Sequence, residues 1–107
     1  MNAADYHRAV LDLERPSPHG QAMHAALGAA SEAGEVAGLF RKGETDPLDL
    51  LDEYADVLFY LVLGLDAAGF DISEAMAWNV MKLERRREHG KDKAAERLLL
   101  ESIYGEK

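Results

Sequence analysis

Four carboxylates stand at helix-compatible spacing in this chain of 107 residues: Glu32 and Glu35 in SEAGEV, and Glu53 and Asp56 in LDEYADVLFYL. The i, i+3 interval within each pair puts two side chains on one face of a helix. Residues 36–52 are enough for the end of one helix, a turn through residues 41–47 and the start of the next. Helices joined by so short a link lie antiparallel and side by side. The four acids can then converge, and an all-oxygen donor set suits a hard divalent cation such as magnesium.

The surroundings of the second pair strengthen that reading. At about 100° per residue, the face that starts at Glu53 continues through Asp56, Tyr60, Leu63, Gly64 and Ala67. Residues 57–65 carry no polar side chain except the Tyr60 hydroxyl, which predicts a helix apolar all round and buried on all sides. Ionised carboxylates in such a setting are costly unless paired or metal-bound. The first pair, taken alone, also reads as a solvated stripe shared with Gln21, His24, Ser31 and Lys42. His24 is either within reach of a substrate or an exposed polar residue beside that stripe.

Five helices are needed to position these groups. The first, residues 3–14, has apolar residues at Tyr6, Ala9, Val10 and Leu13 and ends at Pro16 and Pro18, inside an RPSPHG loop. The second, residues 21–41, has an apolar side of Met23, Ala26, Leu27, Ala30, Ala33, Ala37 and Phe40, with small residues that permit close helix approach. Asp46 and Pro47 form a cap and first turn for the third, which runs to about residue 68 and is closed by Gly69. Asp71 and Glu74 form a capping box for the fourth, which stops at His89 and Gly90. The last covers about residues 92–104; Leu98, Leu99, Leu100 and Ile103 are too dispersed to define one face and imply packing, including against another subunit. No stretch alternates as a strand, so the fold class is all-α, an antiparallel bundle of four to five helices.

On the fourth helix Asn79, Lys82 and Arg86 share a narrow stripe with Ile72 and Ala75. An amide and two cations facing an acidic metal site would serve a phosphate-bearing substrate, metal on one side and donors on the other. The competing reading is a basic helix end that complements the dipole, which Arg85, Arg86 and Arg87 satisfy regardless of function. Trp78 and the Phe59–Tyr60 pair read as packing residues before they read as a base platform.

Composition narrows the field. A chain of this length is one domain, residues 1–107. The net charge of −8 and pI near 4.9 argue against a nucleic-acid polymer as partner, because that affinity rests on lysine and arginine. The chain has no cysteine, hence no disulfide framework and no thiolate metal site. Its first residues lack an export signal, and no apolar run approaches the roughly 20 residues of a membrane span. Together these point to a cytoplasmic protein without a membrane. The four histidines never form the Glu-x-x-His pairing of di-iron bundles, and there is neither a phosphate-cradling glycine loop nor a Ser-His-Asp arrangement.

The run HAALGAASEAGEVAGLFRKG, then LLDEYADVLFYLVLGLDAAGFDISEA, then Asn79 and Lys82 in NVMKLERR, resembles the MazG-type all-α nucleoside triphosphate pyrophosphohydrolases over residues 21–90, leaving residues 91–107 as an uncovered terminal helix. The resemblance implies a bundle completed by a second subunit, as a homodimer or homotetramer. It implies magnesium, with manganese as the alternative ion, held by Glu32, Glu35, Glu53 and Asp56. It implies hydrolysis of a nucleoside triphosphate to the monophosphate and pyrophosphate, with phosphate contacts from Lys82, Asn79, Lys42 and Arg86. Many such relatives open the first motif with two adjacent glutamates; here the first of those positions is Ser31, which bears on the number of metals and on which carboxylate acts as base.

Chemically, phosphoanhydride hydrolysis requires neutralised phosphate oxygens and a water placed for in-line attack. Attack at the α-phosphate with pyrophosphate as leaving group is the expected reaction, with Glu35 as the residue that orients the water. A phosphoribosyl-ATP pyrophosphatase-like enzyme is the nearer alternative. A non-catalytic helical dimerisation module, with solvated acids and an apolar third helix, is the more distant one.

Overall fold

The computed structural model describes residues 1–14 and 20–106, so Pro16, Pro18 and the RPSPHG loop lie outside the described residues save for Gly20. Five helices follow in order: α1 (Ala3–Leu13), α2 (Gln21–Lys42), α3 (Pro47–Ala67), α4 (Ile72–His89) and α5 (Lys93–Tyr104). No strand occurs among the described residues, and the protein is all-helical.

The helix ends form where local chemistry dictates. Asp46 accepts the Leu48 N–H at 2.8 Å, with Pro47 at the first helical position of α3. Asp71 and Glu74 close a reciprocal capping box at 2.8 and 3.1 Å. Asp92 caps α5 by accepting the Ala95 N–H at 3.1 Å. Gly43, at φ 76°, ends α2 in the left-handed region, where a side chain would be strained.

An antiparallel α2–α3 hairpin is the backbone of the molecule, and its register can be followed contact by contact. Gln21 donates to the Leu63 carbonyl at 3.4 Å and to Asp66 at 3.3 Å. One turn on, Ala25 lies 3.6 Å from where a Cβ on Gly64 would stand. Gly28 sits against the Tyr60 ring so closely that a Cβ there would overlap it. Tyr60 is itself held edge-on by His24 at 5.5 Å and Phe59 at 5.2 Å. Continuing in the same sense brings Glu32 opposite Glu53 and Asp56.

The small core, formed by Val10, Ala25, Val62 and Leu63, lies at the end of this hairpin farthest from the acids. There α1 crosses both α3 and α4. His7, buried, joins them: its Nδ1 accepts the Ile72 N–H at 3.2 Å and its Nε2 donates to Asp66 at 3.2 Å. Because a backbone N–H can only donate, Nδ1 must be the unprotonated nitrogen. α5 is fastened to α4 by two bonds from Arg86 to Glu96, each 2.7 Å, and by the Tyr104 hydroxyl donating to the Glu74 carbonyl at 3.3 Å.

Two expectations about burial are corrected. α3 is not enclosed on all sides: Leu51, Tyr54, Leu58 and Leu61 are exposed along one stripe. The apolar side of α2 formed by Met23, Leu27, Phe40 and the alanines also faces outward, while Gln21, Ala25, Gly28, Glu32 and Val36 turn towards α3 or are buried. The physical reason is the same in both cases. A hairpin with one crossing helix cannot cover every apolar face that its sequence carries.

Candidate metal centre

Glu32 from α2 and Glu53 with Asp56 from α3 offer carboxylate oxygens that all lie within 4.8 Å of one another. The i, i+3 spacing on α3 aims its two acids at the same neighbour, and the α2–α3 register set by Gly28 on Tyr60 brings Glu32 level with them. Glu32 and Glu53 are half-buried between the helices, and Asp56 is at the open edge.

The electrostatics are those of acids crowded together. Glu53 has its carboxyl pushed above the usual glutamate range, first by burial and then by the charges of Glu32, Asp56, Glu35 and Asp52. Its Oε2 is buried with no hydrogen-bond partner. A buried carboxylate oxygen without a donor is costly. Three carboxylates facing one another with such an orphan oxygen fit a hard divalent ion, whose ligands are oxygens. Tyr6 of α1 also lies within the influence of this site: burial and the Asp56 charge raise its hydroxyl above the ordinary tyrosine value.

The remaining candidates are placed differently. Glu35 is outside the group of three and exposed on α2, although Glu53 feels its charge. Glu35 shares a face with Glu32 but lies about 60° round from it, on the more exposed side of α2. His24 packs on Tyr60, two turns or about 12 Å along α2 from Glu32. Lys42 is exposed at the end of α2, about 15 Å from Glu32 along the axis. Asn79 is exposed and lines a cavity of about 680 Å³ between α3, α4 and α5, and Lys82 is half-buried on α4. Arg86 donates from its Nε and Nη2 to Glu96, the buried acid of α5. That guanidinium holds the Glu96 carboxyl down to about 2.

Residues 21–91 match the family model of the MazG nucleotide pyrophosphohydrolase domain, and the stretch contains both carboxylate pairs, Asn79 and Lys82. The chain belongs to this family. Membership supports nucleotide pyrophosphohydrolase activity as a class and a nucleotide as substrate. No curated protein and no solved structure matches the chain. The MazG match ends before α5, so the Arg86–Glu96 tie joins the family domain to a helix beyond it. No signal in the sequence singled out Glu96, Tyr6 or His7 for a polar role, because each acquires its partner only when one helix packs on another. No helix among the described residues is long and apolar enough to cross a membrane.

Proposed function

We propose that this protein is a magnesium-dependent nucleoside triphosphate pyrophosphohydrolase that converts a nucleoside or deoxynucleoside triphosphate and water to the monophosphate and pyrophosphate. The observation that carries this reading is the trio Glu32, Glu53 and Asp56, with the buried, unpartnered Oε2 of Glu53. These three residues would hold the cation, with manganese able to replace magnesium. When bound, the ion would neutralise charge on the phosphate oxygens.

The chain's own residues do the rest. Glu35, next along α2 and open to solvent, orients the attacking water and takes up its proton. The water oxygen forms a bond to the α-phosphorus, the bond from that phosphorus to the α,β-bridging oxygen breaks, and pyrophosphate leaves with the electron pair. Asn79 and Lys82 supply donors to the phosphates. Those two groups sit on α4, away from α2, and a second subunit that completes the bundle is part of the proposal. α1 and α5 lie outside the family match and support the domain rather than react.

The test is incubation with magnesium and a panel of nucleoside triphosphates, with pyrophosphate resolved from orthophosphate. Pyrophosphate and monophosphate should appear in equal amounts, and Glu53→Gln should lose about a hundredfold or more of the rate with helicity retained. Magnesium and manganese titrations followed by thermal shift give a readout independent of turnover. A wild-type protein inactive on every nucleotide would favour the helical interaction module instead.

A further inference from the structure

α5 is held by an acid rather than by a core. Its single buried residue is Glu96, while Leu98 and Ile103 on the same helix are 69 % and 43 % exposed. Glu96 accepts from both Nε and Nη2 of Arg86 at 2.7 Å, the two-pronged geometry that a guanidinium offers to carboxylate and phosphate alike. α5 is pinned again near its far end, where the Tyr104 hydroxyl donates to the Glu74 carbonyl at 3.3 Å and the Tyr104 ring meets Phe70 edge-on at 5.7 Å. Between the two pins lies the 680 Å³ cavity, lined by Leu61 and Leu65 of α3, Trp78 of α4 and Leu100 of α5. The helix is a strap laid across a hole.

Stability alone is a poor reason for such a strap. Desolvating an acid and a cation offsets most of what their attraction gains, and apolar residues of similar volume hold two helices at least as well. The choice of cation supplies a second reason. Arg86 follows Asn79 by seven residues and Lys82 by four, so the three share one stripe of α4, and Lys82 forms no ion pair among the described residues. The acid that holds Arg86 comes from beyond the family domain, which ends at residue 91. The Arg86 side chain is 24 % exposed and that of Glu96 only 5 %, so an anion in solution can reach the cation while the acid is shut in behind it. With its carboxyl held down to about 2, Glu96 stays ionised at any ordinary pH. A competing anion, not a proton, is therefore what opens the pair.

We infer that α5 is an autoinhibitory strap: in the free protein Glu96 occupies the guanidinium of Arg86, and the phosphates of a di- or triphosphate ligand displace it, freeing α5 and opening the cavity beneath. Glu96 brings one negative charge at the high effective concentration of a tethered group. A phosphate chain brings several charges and takes donors from Asn79 and Lys82 as well. Each advantage offsets the other, so the two ligands exchange. The strap rests on the phosphate-binding role of α4 proposed above and deepens it, by giving that role a competitor carried on the chain itself.

The probe is inorganic pyrophosphate, added to the full chain at ionic strength matched with sodium chloride. In wild type it should raise hydrogen exchange across residues 93–104 and shift the fluorescence of Trp78, the only tryptophan, to the red as the cavity opens to water, while chloride alone does neither. Two variants separate a latch from a structural tie. Glu96→Gln removes the competing charge and, for a strap shut nine-tenths of the time, should tighten pyrophosphate binding about tenfold in calorimetry. Arg86→Gln frees the same helix but should weaken pyrophosphate binding about tenfold, because the charged donors are gone. A merely structural tie would move both variants in the same direction. Hydrogen exchange of α5 unchanged by pyrophosphate, or Glu96→Gln binding it no tighter than wild type, would overturn the proposal. Release of α5 without hydrolysis of any nucleoside triphosphate would refute the enzyme and leave the strap standing; hydrolysis with α5 still protected would do the reverse.

Discussion

Adding a single methyl group at Gly28 tests whether the acid trio depends on how closely α2 lies on α3. A Cβ at this position would overlap the Tyr60 ring, near its root as well as along its edge. The ring cannot simply swing aside, because His24 and Phe59 hold it from two directions. The helices must therefore part. Overpacking of this kind costs about 1–3 kcal/mol, and alanine's better helix propensity returns about 1 kcal/mol. Gly28→Ala should thus lose up to about 2 kcal/mol, with about 4–8 °C of melting temperature per kcal/mol in a domain of this size. Gly34, in the same helix, has open space around it. Gly34→Ala should instead gain about 0.5–1 kcal/mol. Glu32 is one turn, about 6 Å, beyond Gly28, so the same displacement should move it away from Glu53 and Asp56. A shift of about 1 Å at reacting groups can cost about a hundredfold in rate. The assay is urea or thermal denaturation of both variants at one protein concentration, paired with a magnesium titration and a rate measurement. Equal stabilisation by the two substitutions, with an unchanged magnesium midpoint, would refute the close seating of α2 and the positioning of the trio that follows from it.

Three further outcomes follow from the same geometry. Glu53 has a raised carboxyl value, so in chelator-treated protein its contribution to stability is present below the ordinary glutamate value of 4.5 and lost as pH rises through the raised one. Glu53→Gln should flatten that decline in urea midpoints against pH, and in wild type magnesium should reverse it. Glu96 is the opposite case: with its carboxyl held at about 2, it stabilises the fold above 4.5 and less as pH falls. Glu96→Gln should remove that acid dependence between about pH 2 and pH 5 and raise proteolytic nicking of α5, which mass spectrometry would locate. Asp71→Ala removes one side of the capping box and should cost about 1 kcal/mol, read from the thermal midpoint, with the magnesium response unchanged.

Much of the fold is legible in the chain because its signals are local. Asp46-Pro47, Asp71 with Glu74, Gly43 and Gly90 act within a turn of themselves, and the five helices begin and end within a residue or two of where those residues place them. The two carboxylate pairs are legible for the same reason, since i, i+3 spacing is a property of one helix. What local pattern misjudges is which face turns inward. The alanines of α2, with Met23, Leu27 and Phe40, form the more apolar side and yet face outward, while the side bearing Glu32 and Gly28 meets α3.

Sequence by itself therefore determined the helices, their ends, the family and the acids that share a helical face. Only the tertiary structure decided that Glu32, Glu53 and Asp56 come within 4.8 Å of one another, and that Arg86 is bound to Glu96. It also decided that the stripe along α3 is left bare. The difference is one of range: spacing within a helix is set by 3.6 residues per turn, but rotation and register between helices are set by steric fit, here a glycine against a tyrosine ring, which no single segment contains.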